Sequence, residues 1–440
     1  KRGLRERSPQ PPLKRGAKRD IASDFNKHRQ SSKLKEIVPV KVLISAYSCE
    51  PGKGSEPGIG WNIAWQVAKD CEVWVLTRPD ESGRAIEAEL QRNPMPNLHI
   101  FYFNLPIWAG GWNWGLGAMQ LHYYLWQIQA YFIARRLHKA IGFDLVHHVT
   151  FGRYSSPSFL SFLPIPFVWG PLGGGEFAPK AFQQDFSLRG RIYEALRDLI
   201  HWLGEIDPFV HLTARRSVLA LATTRDTVEP LLKLGAKNVR VFSNVGLPKV
   251  EIANLAQYAL PAPEVVRFIS IGRLLHWKGF HLGLKAFANA GIQKSEYWIV
   301  GDGPESQRLA DLANKLGTAD KVCLWGALPR HETLKKLKEC HVLVHPSLHD
   351  SGAWVCSEVM AAGRVVICLD LGGPAVQVTP ETGFKISART PEQAVNDLAK
   401  AMICIAQDED LRVRLGEAGR KRVTEVFDWE VKGRSLRQFY

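Results

Sequence analysis

The sequence predicts an α/β protein of two Rossmann-like domains, each built on a parallel sheet. Three observations predict it. The chain has 440 residues, more than one ordinary hydrophobic core accommodates. Short β-rich runs alternate with helical patterns along almost its whole length, and that alternation marks parallel βαβ units. The alternation comes in two series. Between them lies a weakly periodic segment with prolines at both ends, residues 248–263.

The first series, residues 38–247, opens with a strand at 40–46, a glycine-rich turn and a helix at 59–69. A strand at 72–76, a helix at 82–91 and a strand at 98–103 follow. Apolar runs at 144–148, 167–169 and 220–223 continue the strands. The second series, residues 264–427, has strands at 266–271, 297–300, 322–325, 342–345 and 365–369, with helices between them. Residues 393–407 and 409–426 are strongly helical, and 428–440 hold a last helix. Asp408-Glu409-Asp410 opens a helix, so capping explains these acids better than metal binding does.

Hydrophobic residues make up 45% and charged residues 23%. This balance excludes a mostly disordered chain, a collagen-like repeat and a small disulfide scaffold. The seven cysteines, Cys49, Cys71, Cys323, Cys340, Cys356, Cys368 and Cys404, form no CxxC pair. They are expected to be free, mostly buried thiols, with no zinc-ligand spacing. The net charge is +14, but residues 1–36 carry +8 of it. The segment 1–37 therefore reads as a basic disordered tail. It is either a solvated extension or a contact for an anionic surface. It lacks the apolar stretch of a secretory signal, and no run of about 20 apolar residues predicts a spanning helix.

Between Arg92 and Arg135 there is no acidic or basic residue, while Trp108, Trp112, Trp114, Tyr123, Tyr124, Trp126, Tyr131 and Phe132 crowd together. Gln120, His122, Gln127 and Gln129 argue against a spanning helix. Two readings stand: a buried helix after an aromatic loop, or a membrane-facing surface beside Arg135, Arg136 and Lys139.

Three strand-to-helix turns carry candidate chemistry. The first, Gly52-Lys53-Gly54-Ser55-Glu56-Pro57-Gly58-Ile59-Gly60, lets backbone N–H groups approach an anion or a sugar. The second, Gly272-Arg273-Leu274-Leu275-His276-Trp277-Lys278-Gly279, puts two cations at a strand's carboxyl end, which suits a diphosphate. In the third, His345-Pro346-Ser347-Leu348-His349-Asp350-Ser351-Gly352-Ala353, Asp350 precedes Glu358 by eight positions. The loop carboxylate can face a sugar and the helical one a ribose. The N–H groups of Ala353, Trp354 and Val355 can meet phosphates between them.

This ordered set resembles the large retaining family of GT-B glycosyltransferases usually numbered four, the group 1 type. The likeness runs from about residue 41 to 440. Gly272, Arg273, Lys278 and Gly279 match its Gly-Arg…Lys-Gly element. Asp350 and Glu358 match its E-x7-E element, with Asp in place of the first Glu. Val300-Gly301-Asp302-Gly303-Pro304-Glu305 and Phe427-Asp428-Trp429 resemble two further elements. The resemblance implies a deep interdomain cleft and a C-terminal helix crossing back to the first domain. It implies that Arg273 and Lys278 bind the donor diphosphate, that Glu358 holds the ribose, and that Asp350, Ser351 and Gly352 lie by the donor sugar. Gly58 and Gly60 become the expected donor contacts of the first loop. An active-site histidine is expected at His147 or His148. Adjacent strand residues face opposite ways, and His148 is preferred for catalysis, with His147 and Glu56 on the acceptor side.

The activity so implied is retaining transfer of a hexose, first choice glucose from UDP-glucose, to a polysaccharide or lipid-linked oligosaccharide. No metal or other cofactor is expected, because the cations meet the phosphate charge. Nucleic acid is not an expected partner. The expected location is the cytoplasm, at the inner face of the membrane if the aromatic surface docks there. The alternatives are a phosphorylase or epimerase on the same fold, and a non-catalytic nucleotide-sugar or anionic-surface binding protein.

Overall fold

The computed structural model describes residues 39–79, 81–106, 116–259 and 264–440. The basic segment 1–37 and Trp108, Trp112 and Trp114 lie outside the described residues. The first sheet contains β1 (Lys41–Ser45), β2 (Glu72–Thr77), β3 (Leu98–Tyr102), β4 (Leu145–His148), β5 (Phe167–Leu172), β6 (Leu219–Ala222) and β7 (Val239–Val241). Their spatial order is β3-β2-β1-β4-β5-β6-β7. Helices α1 (Ser55–Val67), α2 (Glu81–Arg92), α3 (Leu116–Ile141), α4 (Leu188–Ile206), α5 (Pro208–Arg216) and α6 (Val228–Leu234) belong to this half, and α7 (Lys249–Ala256) follows it.

The second sheet contains β8 (Val266–Ile271), β9 (Ser295–Val300), β10 (Val322–Gly326), β11 (Val342–His345), β12 (Val365–Leu369) and β13 (Gly383–Ile386), ordered β10-β9-β8-β11-β12-β13. Helices α8 (Phe280–Ala290), α9 (Ser306–Lys315), α10 (Arg330–Lys336), α11 (Trp354–Ala361), α12 (Gly372–Gln377), α13 (Pro391–Gln407), α14 (Glu409–Arg422) and α15 (Trp429–Arg437) accompany it. The ladders within both sheets are parallel. Such sheets are covered on both faces, so their strands read as continuous apolar runs. β5 and β12 are buried at every position. In each sheet the strand order reverses beside the first strand, at β1/β4 and at β8/β11. Open α/β sheets bind ligands outside the strands' carboxyl ends at such points.

Residues 249–256 depart from the expected linker. They form helix α7, whose Ile252 and Leu255 are buried in the core under the second sheet. The helix is only eight residues long, and two apolar positions three apart give little periodicity to read. Helix α3 of the aromatic stretch is buried on one part and exposed on another. Tyr123 and Trp126 are buried, while Leu121, Leu125, Ile128 and Phe132 are exposed. The cysteines are free. Cys49, Cys71, Cys340, Cys356 and Cys368 are buried, Cys323 is half-buried and Cys404 is exposed.

The last helix returns to the first half. The Asp428 side chain caps it by accepting from the Glu430 N–H at 2.7 Å. The Trp429 ring lies under Gly246, where a Cβ would come within 2.6 Å of it. Gly433 sits against the Gln66 side chain of α1, and Arg437 donates to the Gln66 carbonyl at 2.9 Å. Burial lowers the pKa of Lys432 to about 7; its ammonium donates to the Ser243 carbonyl and lies 3.9 Å from the Phe242 ring centre. Truncating a buried tryptophan costs about 3–5 kcal/mol. Trp429→Ala is therefore expected to lose stability of that order in urea unfolding, with the loosened helix exposing Gln66.

Candidate active site

The carboxyl ends of both sheets open into one cavity of about 850 Å³. Three non-glycine residues on its wall have left-handed backbone: Ser55 at the first position of α1, Phe151 after β4 and Ala353 before α11, each with φ of 61°. Such strain persists only where surrounding structure enforces it, and it concentrates at binding sites.

The loop from β11 to α11 supplies the second sheet's side of the cavity. Asp350, Ser351, Gly352, Ala353 and Trp354 line it, and Val355 does not. Asp350 is ion-paired with Lys278, and His345 Nε2 lies 3.4 Å from the same oxygen. Burial alone would raise the Asp350 pKa. The Lys278 charge and the His345 contact overcome it and hold the carboxyl far below the usual range. Two residues expected to meet different parts of a donor are thus bonded to each other. Arg273 is exposed after Gly272 and is not among the residues lining the cavity. Glu358 is half-buried one turn into α11 and paired with Arg330, which also holds Glu251 of α7. Burial raises the Glu358 pKa against the pull of Arg330.

The histidine expectation needs correction. Residues 147 and 148 do face opposite sides of β4, but neither lines the cavity. His147 Nδ1 meets the Tyr440 hydroxyl at 2.5 Å, and its Nε2 meets the Gly170 carbonyl at 2.6 Å. His148 packs edge-on against Tyr123. Burial lowers their pKa values to about 4 and about 3. Both belong to the strand proper, which is covered on each face. The cavity is entered by the residues after it: Val149, Phe151, Gly152 and Arg153.

Gly58 and Gly60 also lie off the cavity wall. A Cβ on Gly58 would meet the Lys53 carbonyl at 2.0 Å, and one on Gly60 the Ser48 carbonyl at 2.3 Å. They let α1 pack on its own loop. Ser55 and Glu56 of that loop reach the cavity instead, and Glu56 accepts from the Gly152 N–H at 3.0 Å.

Sequence reasoning missed the residue that ties the two sides together. Glu194, buried on α4, accepts from His276 Nε2 at 2.8 Å and meets His349 Nε2 at 3.1 Å. Trp277 stacks between Tyr193 and His349, with ring centres 5.0 and 5.1 Å away. Burial pushes the Glu194 carboxyl up, but the two histidines pull it down to about 2. Nearby, a Cβ on Gly173 would lie 2.8 Å from that of Ser351, and Asp226 accepts from the Gly372 N–H at 2.9 Å. No sequence signal marks Glu194, because its partners lie 82 and 155 residues away.

Helix α4 is amphipathic in the inverted sense. Its inward positions are Gly190, Glu194, Arg197 and His201, and its outward stripe is Leu188, Ile192, Leu196, Leu199, Leu203 and Ile206. Leu188 is 76% and Trp202 54% exposed. Globular proteins ordinarily place a surface helix the other way round.

The lowered Glu194 pKa has a defined acid signature. A carboxyl at about 2 in the folded state, against 4.5 for the free group, contributes stability above pH 4.5 that is lost as pH falls toward 2. The stability advantage of the protein over Glu194→Gln should therefore shrink by up to about 3 kcal/mol across that window. Urea unfolding at pH 6, 4 and 3 measures it.

Residues 258–422 match the family model described as Glycosyl transferases group 1. The lipopolysaccharide core biosynthesis glycosyltransferase LpsE of Rhizobium meliloti (strain 1021) is 30% identical over 219 residues, 49% of this chain and 62% of that protein. The glycogen synthase of Mycobacterium tuberculosis (strain ATCC 25618 / H37Rv) is 26% identical over 222 residues, 50% of this chain and 52% of that one. The chain thus spans less than two thirds of these relatives. Among solved structures, the apo lipopolysaccharide outer core galactosyltransferase WaaB superposes with a TM-score of 0.60 at 14% identity, over 91% of this chain and 98% of that one. The sucrose-phosphate synthase of Thermosynechococcus elongatus gives 0.57 at 16%, with the same coverage. These two share the fold of this chain, and residues 258–422 form its matched group 1 glycosyl transferase domain.

Proposed function

We propose that the protein is a retaining hexosyltransferase, moving glucose from UDP-glucose to a polysaccharide or lipid-linked oligosaccharide. One observation carries the reading: Asp350, ion-paired with Lys278, lines the cavity just before the N-terminus of α11, and Glu358 follows four residues into that helix. In this reading the donor diphosphate sits at that helix end and takes Lys278 from Asp350. Arg273, on the turn after β8, supplies a second cation. Asp350 is released toward the sugar hydroxyls, and Glu358 turns from Arg330 to the ribose. As the bond from the anomeric carbon to the phosphate oxygen breaks, the sugar gains oxocarbenium character. The cations and helix amides stabilise the charge growing on the phosphate. The acceptor hydroxyl attacks from the leaving-group face and gives its proton to the departing phosphate oxygen. No metal is required, because Lys278 and Arg273 meet the charge.

Three similar proteins support the substrate classes: a lipopolysaccharide core enzyme, a glycogen synthase, and a fold neighbour, Anabaena HepE, solved with UDP-glucose, at a TM-score of 0.53 and 18% identity. Among the described residues no helix is long and apolar enough to cross a membrane. The outward stripe of α4, with Arg189 and Arg191 beside it, supports peripheral docking at an anionic inner membrane face.

Two measurements test this. In slow hydrolysis of a panel of UDP, GDP and ADP sugars, one donor is expected to release its nucleotide. Arg273→Ala and Lys278→Ala should slow that release by about tenfold to a thousandfold, and Glu358→Ala should weaken donor binding. Unchanged rates in all three would remove the assignment, and silence across the panel would favour the binding-protein alternative. In vesicle sedimentation, the protein should bind bilayers containing anionic lipid. Leu199→Glu with Leu203→Glu should reduce that binding by roughly tenfold or more while leaving hydrolysis in solution intact.

A further inference from the structure

The cavity holds two guanidinium groups that donor chemistry leaves unused. Arg153 follows β4, and Arg197 lies on the inward face of α4; both line the wall. The carboxylates around them are already engaged. Glu56 accepts from Gly152, and Glu194 holds two histidines. Glu176 accepts from the Gly174 N–H at 2.8 Å and from the hydroxyls of Thr224 and Thr227 at 2.6 and 3.0 Å.

The two arginines are less well provided for. Among the described residues Arg153 has no carboxylate within ion-pair distance. Burial and the like charge of Arg197 lower its pKa, against the pull of Glu56. Arg197 donates to the Glu176 carbonyl and comes only within 3.8 Å of Glu194, and its Nη1 has no hydrogen-bond partner. Two like charges at a buried wall are costly until an anion comes between them. A pair of planar guanidinium forks suits a tetrahedral oxyanion. Beside them Tyr193, Leu196 and Ile200 give the wall an apolar strip that continues, through Leu196, into the outward stripe of α4.

We propose that Arg153 and Arg197 form a subsite for a phosphate group of the acceptor, carried on an apolar chain that lies along α4. The proposal rests on the glycosyltransferase reading and names its acceptor class: an amphiphilic phosphate rather than a neutral glycan.

The test is titration calorimetry on the full chain with geranyl phosphate, geraniol and inorganic phosphate, and with UDP measured in parallel. Geranyl phosphate should bind and geraniol only weakly. Arg153→Gln and Arg197→Gln should each weaken geranyl phosphate by about tenfold or more, the scale of one charge-assisted hydrogen bond. Arg153→Lys, which keeps the charge, should weaken it less. UDP affinity should stay as it was in every variant, which reports an intact fold. Geranyl phosphate affinity unchanged in both Gln variants would overturn the subsite. Inorganic phosphate binding as tightly, with the same arginine dependence, would keep the anion site and overturn the lipid chain. Loss of UDP binding in the unaltered protein would count against the glycosyltransferase reading instead, leaving an arginine-dependent phosphate site standing.

Discussion

A buried carboxylate has to be paired, and Glu194 is paired across the cleft. It belongs to a helix of the first half, and both its partners, His276 and His349, sit on loops of the second. Those two loops also carry Lys278 and Asp350. The same contact explains the inversion of α4. A helix that must present Glu194, Arg197 and His201 to the interior has its polar face committed inward. Its leucines are left outside, exposed.

The charges of the site are stored in pairs. Lys278 is held by Asp350, and Arg330 by Glu358 and Glu251. Lys278 with Asp350, and Arg330 with Glu358, neutralise one another in place. Exchange of partners within a low-dielectric site costs less than bringing a hydrated ion into it.

Much of the fold was legible because buried parallel strands are mostly apolar along their length, so β1, β5, β8 and β12 stand out without any knowledge of their neighbours. The unit from β11 to α11 was legible because its pattern is local: Asp350 and Glu358 belong to one strand–loop–helix unit. Glu194, Arg330 and Arg153 were not legible. Each owes its place to chain folded against it from far away, and a single carboxylate or guanidinium in a helix looks the same whether it caps, solvates or bridges. The histidines were misplaced for a related reason. The strand end was located correctly, but the residues that emerge into the cleft come after it. Helix α4 escaped notice because an inverted pattern has the right period and the wrong face outward.

The two passages of chain between the halves run side by side at one point. Leu247 donates its N–H to the Phe427 carbonyl at 2.8 Å and accepts from the Trp429 N–H at 3.1 Å, so the outgoing and returning segments are pinned together. Two separated connections would let the sheets slide or twist over one another. One pinned pair acts as a door hinge, with its axis through Leu247 and Asp428. Motion of the second half then becomes rotation about that axis.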